Sequence, residues 1–401
     1  MTAHPVTPRD KALKVNLDPR YYGTFAEIGA GQEVVRWFFH AGAAAGTIAK
    51  SISAYDMQVS DAIYGSCARY VCRERLDAML DLENAAQQEA LGIVGVNLIY
   101  GACFLHDDPE RLVESLLDGL STNRIEIDLI DFSGDEFRHV DNRVMSLRLV
   151  QLGLTGAAMF SAAGKVLQPS EVLYKKPVLV ERGRFRPVTY VNLDLAAAAL
   201  RAFEAEGGDV TPGETVSIME IPMRSLLADG EVDLADFLSR ADVLATTGHT
   251  VMISDFAEYY RLAAYLFRYT SRRIGPAMGA MNLIEILDEA AYHKLDGGIL
   301  EGFGRLFKNN LKLFVYPYME PRTNELVTID KLDVPPSLRQ LYGYLIDQRC
   351  IVQLTDINHA YLNIHSHEVL GKIGRDSTEW EAMVPPKVAA AIKERRLFGY
   401  A

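Results

Sequence analysis

Four acids stand at or just past the carboxyl end of an apolar, strand-like run: Asp131 in RIEIDLIDF, Asp194, Glu220 in VSIMEI and Asp255 in TVMISDF. In parallel α/β folds ligands gather at the carboxyl ends of strands. Brought together there, these carboxylates could hold Mg²⁺ against a phosphorylated substrate, or split general acid and base roles by pushing each other's pKa apart. Helix capping competes with that reading. Asp194 directly precedes LAAAAL as a natural N-cap, and Asp255 with Glu258 three residues on resembles a capping box. Glu220, followed by Ile221-Pro222, is the least easily explained as a cap.

A second candidate is the glycine-rich stretch near the N-terminus. Gly29-Ala30-Gly31-Gln32 precedes a helical pattern from Glu33 to His40, and backbone N–H groups at a helix start attract anions. Lys50, in Gly46-Thr47-Ile48-Ala49-Lys50-Ser51, could reach a phosphate held there. Neither segment is a P-loop, since GxxxxGK is absent and no strong strand precedes either. Tight helix packing through small residues is the alternative explanation for the glycines.

Arg182, Arg184 and Arg186 form one basic cluster and Arg268, Arg272 and Arg273 another. Forked donors of this kind bind phosphate or carboxylate, although solvated turn and helix-end charges explain them as well. Asn282 and Glu285 share one helical face, and Glu301 and Arg305 another, so each pair could look into a cleft or form ion pairs. His365-x-His367 reads as a surface turn or short strand, because the zincin pattern HExxH is missing. GxSxG and a Cys-His nucleophile pattern are also missing. Cys67, Cys72, Cys103 and Cys350 read as reduced thiols.

These residues need elements to position them. Strands are expected at 124–132, 156–160, 177–180, 187–193, 216–221, 250–256, 274–280 and 311–317, with helical segments between most of them. Strands separated by helices imply parallel pairing through right-handed crossovers. The expected fold class is therefore α/β, a mostly parallel sheet with helices on its faces. The predicted organisation is a flexible arm at 1–22, a Gly-rich helical region at 23–120, an α/β core at 121–320 and a helical C-terminal appendage at 321–401.

The chain has 401 residues, 49% of them hydrophobic and 23% charged, which describes a globular protein and excludes disorder and fibres. A net charge of −12 repels nucleic-acid backbones and anionic membrane surfaces. The uncharged run from Ala90 to Leu105, 16 residues with three glycines, falls short of the ~18 to 20 that span hydrocarbon. The start of the chain lacks an apolar signal region, which points to the cytoplasm. Composition leaves a homo-oligomer open.

The segments NLDPRYYGTFAEIGAGQEVVRWFF, GTIAKSISAYD, RIEIDLIDFSG, GKVLQPSEVLYKKPVLVERGRFRPVT, GGILEGFGRLFKNNLKLFVYP and VPPKVAAAIKERRLFGY together resemble an uncharacterised bacterial family. That family carries two automatic labels: TonB-dependent receptor, and nicotinate-nucleotide or nicotinamide mononucleotide adenylyltransferase. The first implies an outer-membrane barrel of many ~10-residue alternating strands, and the chain lacks that pattern. The second implies a G-x-F-x-P-x-H-x-G-H-like loop. Leu17-Asp18-Pro19-Arg20-Tyr21-Tyr22-Gly23 echoes it with Tyr21 in a histidine's place, and Thr270-Ser271-Arg272-Arg273 echoes the S-x-T-x-x-R-like segment that accompanies it. The resemblance also implies a longer connection between Leu76 and Glu83 than this chain has, as in a shortened or inactive paralogue.

Two functions follow as expectations. One is an α/β enzyme acting on a nucleotide or other small phosphorylated ligand. Gly29, Gly31, Gln32 and Lys50 would cradle phosphate, while Glu220, Asp255 and Asp131 bind Mg²⁺ or move protons. The other is a non-catalytic ligand-binding or assembly protein whose glycine-rich helices pack against partners.

Overall fold

The computed structural model describes residues 7–27, 32–53, 85–122, 124–208, 210–228, 231–320, 322–375 and 377–400. The fold is mixed α/β and divides into two compact units, one of residues 1–127 with 152–155 and one of 128–151 with 156–401. Among the described residues no helix is long and apolar enough to cross a membrane.

The first unit contains α1 (Pro8–Asn16), β1 (Gly23–Glu27), α2 (Gln32–Ala41), β2 (Ile48–Ser53), α3 (Ala85–Phe104) and α4 (Pro109–Ser115), with β1 and β2 paired in parallel. Within the stretch expected as a flexible arm, Pro8–Asn16 form α1. The Thr7 hydroxyl accepts from the Asp10 N–H at 3.2 Å while the Asp10 carboxylate accepts from the Thr7 N–H at 3.1 Å, a reciprocal capping box. Pro8 fills the first helical position, where a missing N–H costs nothing. The helix then buries Ala12 and Val15 against Phe38 and Val96. Glycines let α3 pack closely on α2: a Cβ at Gly95 would lie 2.2 Å from Val34 Cγ2, and one at Gly92 2.5 Å from Glu33 Cγ. The connection between Leu76 and Glu83 lies outside the described residues.

The second unit is built on an eight-stranded sheet. Its strands are β3 (Ala157–Phe160), β4 (Val166–Leu167), β5 (Val178–Arg182), β6 (Val216–Pro222), β9 (Thr250–Ser254), β10 (Ile274–Gly279), β11 (Leu313–Tyr316) and β14 (Ile351–Gln353). Two small antiparallel ladders lie apart from it, β7 (Leu227–Ala228) with β8 (Glu231–Val232) and β12 (Tyr318–Met319) with β13 (Leu326–Val327). The order is β14-β11-β10-β5-β6-β9-β3-β4. Pairing is parallel from β14 to β9 and antiparallel at β3 and β4.

The crossovers follow α5 (Asn142–Gln151) and α6 (Pro169–Val172) along the chain. They are α7 (Tyr190–Ala205) between β5 and β6, α8 (Leu234–Thr246) before β9, α9 (Tyr259–Leu266) before β10, α10 (Ala280–Ile286) and α11 (Gly298–Leu306) before β11, and α12 (Arg339–Asp347) before β14. Strand alternation divides the core between the faces. Leu179, Ala277 and Phe314 pack with Leu195, Ala199 and Phe203 of α7, whereas Val178, Val180 and Ile274 pack with the α9, α10 and α11 side.

Three sequence expectations differ from this structure. Residues 124–132 form no strand, because the sheet ends at β4, which occupies the edge beside β3. Residues 190–193 are helix rather than strand, since Thr189 and Asn192 form a capping box that starts α7. The tail is not wholly helical. Its Ile351–Gln353 adds β14 to the sheet beside β11.

Candidate functional site

At the carboxyl ends of β5, β6 and β10 lies a cleft of about 510 Å³, the position where parallel sheets hold ligands. Its lining begins where β5 ends, at Arg182, Gly183 and Arg184. Gly183 is required by close approach, since a Cβ there would come 2.8 Å from the Phe185 ring. Phe185 itself is buried in a left-handed backbone conformation, φ 46°. The loop therefore turns its apolar residue inward and leaves Arg184 exposed at the cleft.

A buried guanidinium fixes this loop to the one that follows β6. Arg240 of α8 donates to the Arg184 carbonyl at 3.1 Å, to Ser225 Oγ at 3.1 Å and to the Ser225 carbonyl at 2.9 Å. Asp236, one turn back, pairs with Arg240 and accepts the Arg186 Nε at 2.6 Å. The second loop brings Arg224 and Ser225 to the cleft. Arg182, Arg184 and Arg186 are thus not three solvated charges: the first and third are committed to acids, and the second is open.

Beneath the arginines, Arg182 and Glu220 form a buried pair. Arg182 Nε lies 2.6 Å from Glu220 Oε2 and Nη2 3.1 Å from Oε1, and the Ser254 hydroxyl also donates to Oε1. The remaining donors of Arg182 reach the carbonyls of Ala257 at 2.9 Å and Phe256 at 2.8 Å. Burial works against the charge on Arg182, but the Glu220 carboxylate outweighs it and keeps the guanidinium ionised. That guanidinium sits 4.6 Å from the centre of the Tyr259 ring, a cation–π contact.

Tyr259 opens α9 and lines the cleft with only 6% of its surface exposed. Its hydroxyl is buried and makes no hydrogen bond. Burial raises its pKa well above the ordinary tyrosine value, so at neutral pH it keeps its proton. The other wall is α10 and the turn after it, with Asn282, Glu285 and Asp288. Asp288 caps that turn, accepting from the Ala290 N–H at 3.0 Å. Arg224 and Glu285 approach to 3.7 Å with both side chains more than half exposed.

The acids chosen from sequence are not gathered here. Glu220 is fully buried with both oxygens accepting hydrogen bonds, so it anchors Arg182. Asp255 is exposed just beyond β9, and the N-cap of α9 is Glu258, so Asp255 does not cap that helix. Asp131 is exposed and accepts from Asn142 Nδ2 at 2.8 Å. Asp194 lies inside α7 rather than before it, accepting from the Tyr316 hydroxyl at 2.6 Å and the Asn358 N–H at 2.8 Å. Gly29 and Gly31 lie outside the described residues. Gln32 begins α2 and Lys50 falls within β2.

Among the described residues no three His, Cys, Asp or Glu side chains come together as a metal site. Glu220, Asp255 and Asp131, the acids expected to hold Mg²⁺, are among the residues that do not form such a group. Glu301 and Arg305 pair with each other at 2.6 Å on α11, whereas Asn282 and Glu285 do face a cleft. Arg184, Arg224 and Tyr259 carry the site; Arg184 stood in a basic cluster read as a possible phosphate or carboxylate donor, whereas Arg224 and Tyr259 were not singled out. The available signal was position: each follows a strand of a parallel sheet within five residues. No protein-family model matches the chain, and no curated protein matches it.

Proposed function

We propose that this chain binds a small phosphorylated ligand, with nucleotides in that class, in the cleft at the carboxyl ends of β5, β6 and β10. One observation carries the reading: a buried tyrosine hydroxyl without a partner shares the cleft with two exposed guanidinium groups, Arg184 and Arg224. A buried polar group left unpaired costs free energy, and a ligand acceptor would satisfy it. Arginine forks match phosphate oxygens, and their loops are preset by Arg240. Nucleotidyl transfer, the reaction the family resemblance implies, would use the same guanidinium groups to offset charge on the transferring phosphate.

Thermal denaturation with adenosine, AMP and ATP, each with and without Mg²⁺, tests this. The phosphorylated compounds should raise the melting temperature and adenosine should not. Tyr259→Phe should leave the unliganded melting temperature unchanged or slightly higher, because it removes an unpaired hydroxyl. It should lower affinity by about five- to tenfold, the equivalent of ~1 to 1.5 kcal/mol for one hydrogen bond. Equal shifts with and without phosphate, or a Tyr259→Phe protein that binds as wild type, would place the ligand elsewhere.

A further inference from the structure

The lining of the cleft is divided by charge. Its exposed cations come from the segments after β5 and β6, namely Arg184 and Arg224. Its acids, Glu285 and Asp288, come from α10 and the turn that follows. From these positions we infer that the ligand has two poles: an anionic group held by the arginines, and an ammonium or similar cationic donor held by the acids. The inference rests on the ligand-binding reading of the same cleft and narrows it.

Two observations support the second pole, and a third marks the cleft itself as a ligand site. First, a purely anionic ligand would meet Glu285 and Asp288 as like charges on a molecule already at −12, which opposes its binding. Second, the acids are not held by strong ion pairs. Among the described residues Asp288 has no cationic partner, and Glu285 only approaches Arg224, at 3.7 Å and with both side chains largely in water. Such a pair contributes little and gives way readily to a ligand that offers each side a better partner. Third, Tyr259 offers a proton at its buried, unpartnered hydroxyl, and the Asn282 amide can both donate and accept. The cleft thus contains a neutral polar group that needs a ligand atom, independent of the acids.

A matched pair of ligands tests this: ethyl phosphate and phosphoethanolamine, which share a phosphate monoester and differ by one ammonium group. Isothermal titration should give phosphoethanolamine the tighter binding by about two- to fivefold, the range of one partly exposed charge contact. In Glu285→Gln that margin should shrink or vanish, while ethyl phosphate binds as before or more tightly because Arg224 is released. Arg184→Gln should weaken both ligands by the same factor. Equal affinity of the two ligands for the wild-type protein would overturn the two-pole inference, as would a margin that survives both Glu285→Gln and Asp288→Asn. If ethyl phosphate binds in an Arg184-dependent way and the margin is absent, the phosphate site stands and only the second pole falls. If neither ligand binds, both readings fall.

Discussion

Glu181 and Arg182 are neighbours on β5 that point to opposite faces of the sheet, and their fates differ. Arg182 finds Glu220, whereas Glu181 is 3% exposed and receives one hydrogen bond, from Asn192 Nδ2 at 3.1 Å, with its second oxygen unpaired. Burial pushes its pKa from 4.5 up to about 8, against the smaller opposing effect of Asn192. The native state therefore holds a proton that the unfolded chain releases near its ordinary pKa. Stability is greatest below that value and falls as pH rises toward 8, by ~1.4 kcal/mol per pH unit for this group alone. Above 8 the folded carboxyl ionises too and the loss stops growing. Glu181→Gln should flatten that decline, so urea unfolding at pH 5 and pH 8 should differ less in the variant, and at pH 8 the variant should be the more stable. An unchanged pH dependence would show that Glu181 is ionised in the fold. Nothing in the sequence distinguishes Glu181 from Glu220, since both end apolar runs; which one meets an arginine is decided by the pleat and by which strand lies next to it.

Among the elements, those with a long period were legible and those defined by a few residues were not. The alternation of β6, β9 and β10 with α8 and α9 between them could be read from apolar spacing, and the parallel pairing followed from it. The start of α7 could not, because VTYVNL has the β-branched and aromatic content of a strand while Thr189 and Asn192 fix a helix start there. The cleft was half visible for the same reason. Asn282 and Glu285 share a helical face at i, i+3, and Arg184 stands in a basic cluster, but Arg224 sits in a short 3-10 turn, and the course of both segments depends on Arg240, 56 positions beyond Arg184. Arg240 links three elements with a single planar fork, and an ammonium cannot reproduce that geometry. Arg240→Lys should therefore cost about 2 to 4 kcal/mol in urea unfolding, within the range for weakening a buried charged network. It should also reduce phosphate affinity although Arg240 itself does not line the cleft. A variant with wild-type affinity would mean that the two loops hold their course without it.

On the scale of the whole chain, the boundary near 320 reads differently in sequence and in structure. After Pro317 the α/β alternation stops, prolines cluster and two helical patterns follow, which suggests an appendage. The missing signal is β14, three residues long and too short to show a period, yet paired in register with Leu313, Phe314 and Val315 of β11. Further along, α13 (Ser366–Ile373) and α14 (Pro386–Arg395) supply Val369, Val388 and Ile392 to the cluster that holds Met219, Ile221, Phe237 and Val251, and Trp380 is fully buried in it. The tail therefore covers one face of the sheet and extends one edge, and the chain ending at residue 320 would expose that cluster to water. Such a fragment should bind a hydrophobic dye strongly, lose its near-ultraviolet circular dichroism and unfold without a cooperative transition. In the full chain, Trp380→Ala should lower stability by ~3 to 5 kcal/mol, the range for emptying an aromatic site in a packed core. A fragment of residues 1–320 that melts cooperatively with native dichroism would make the tail a separable appendage after all, and the eight-stranded sheet a six-parallel arrangement that can spare its last strand.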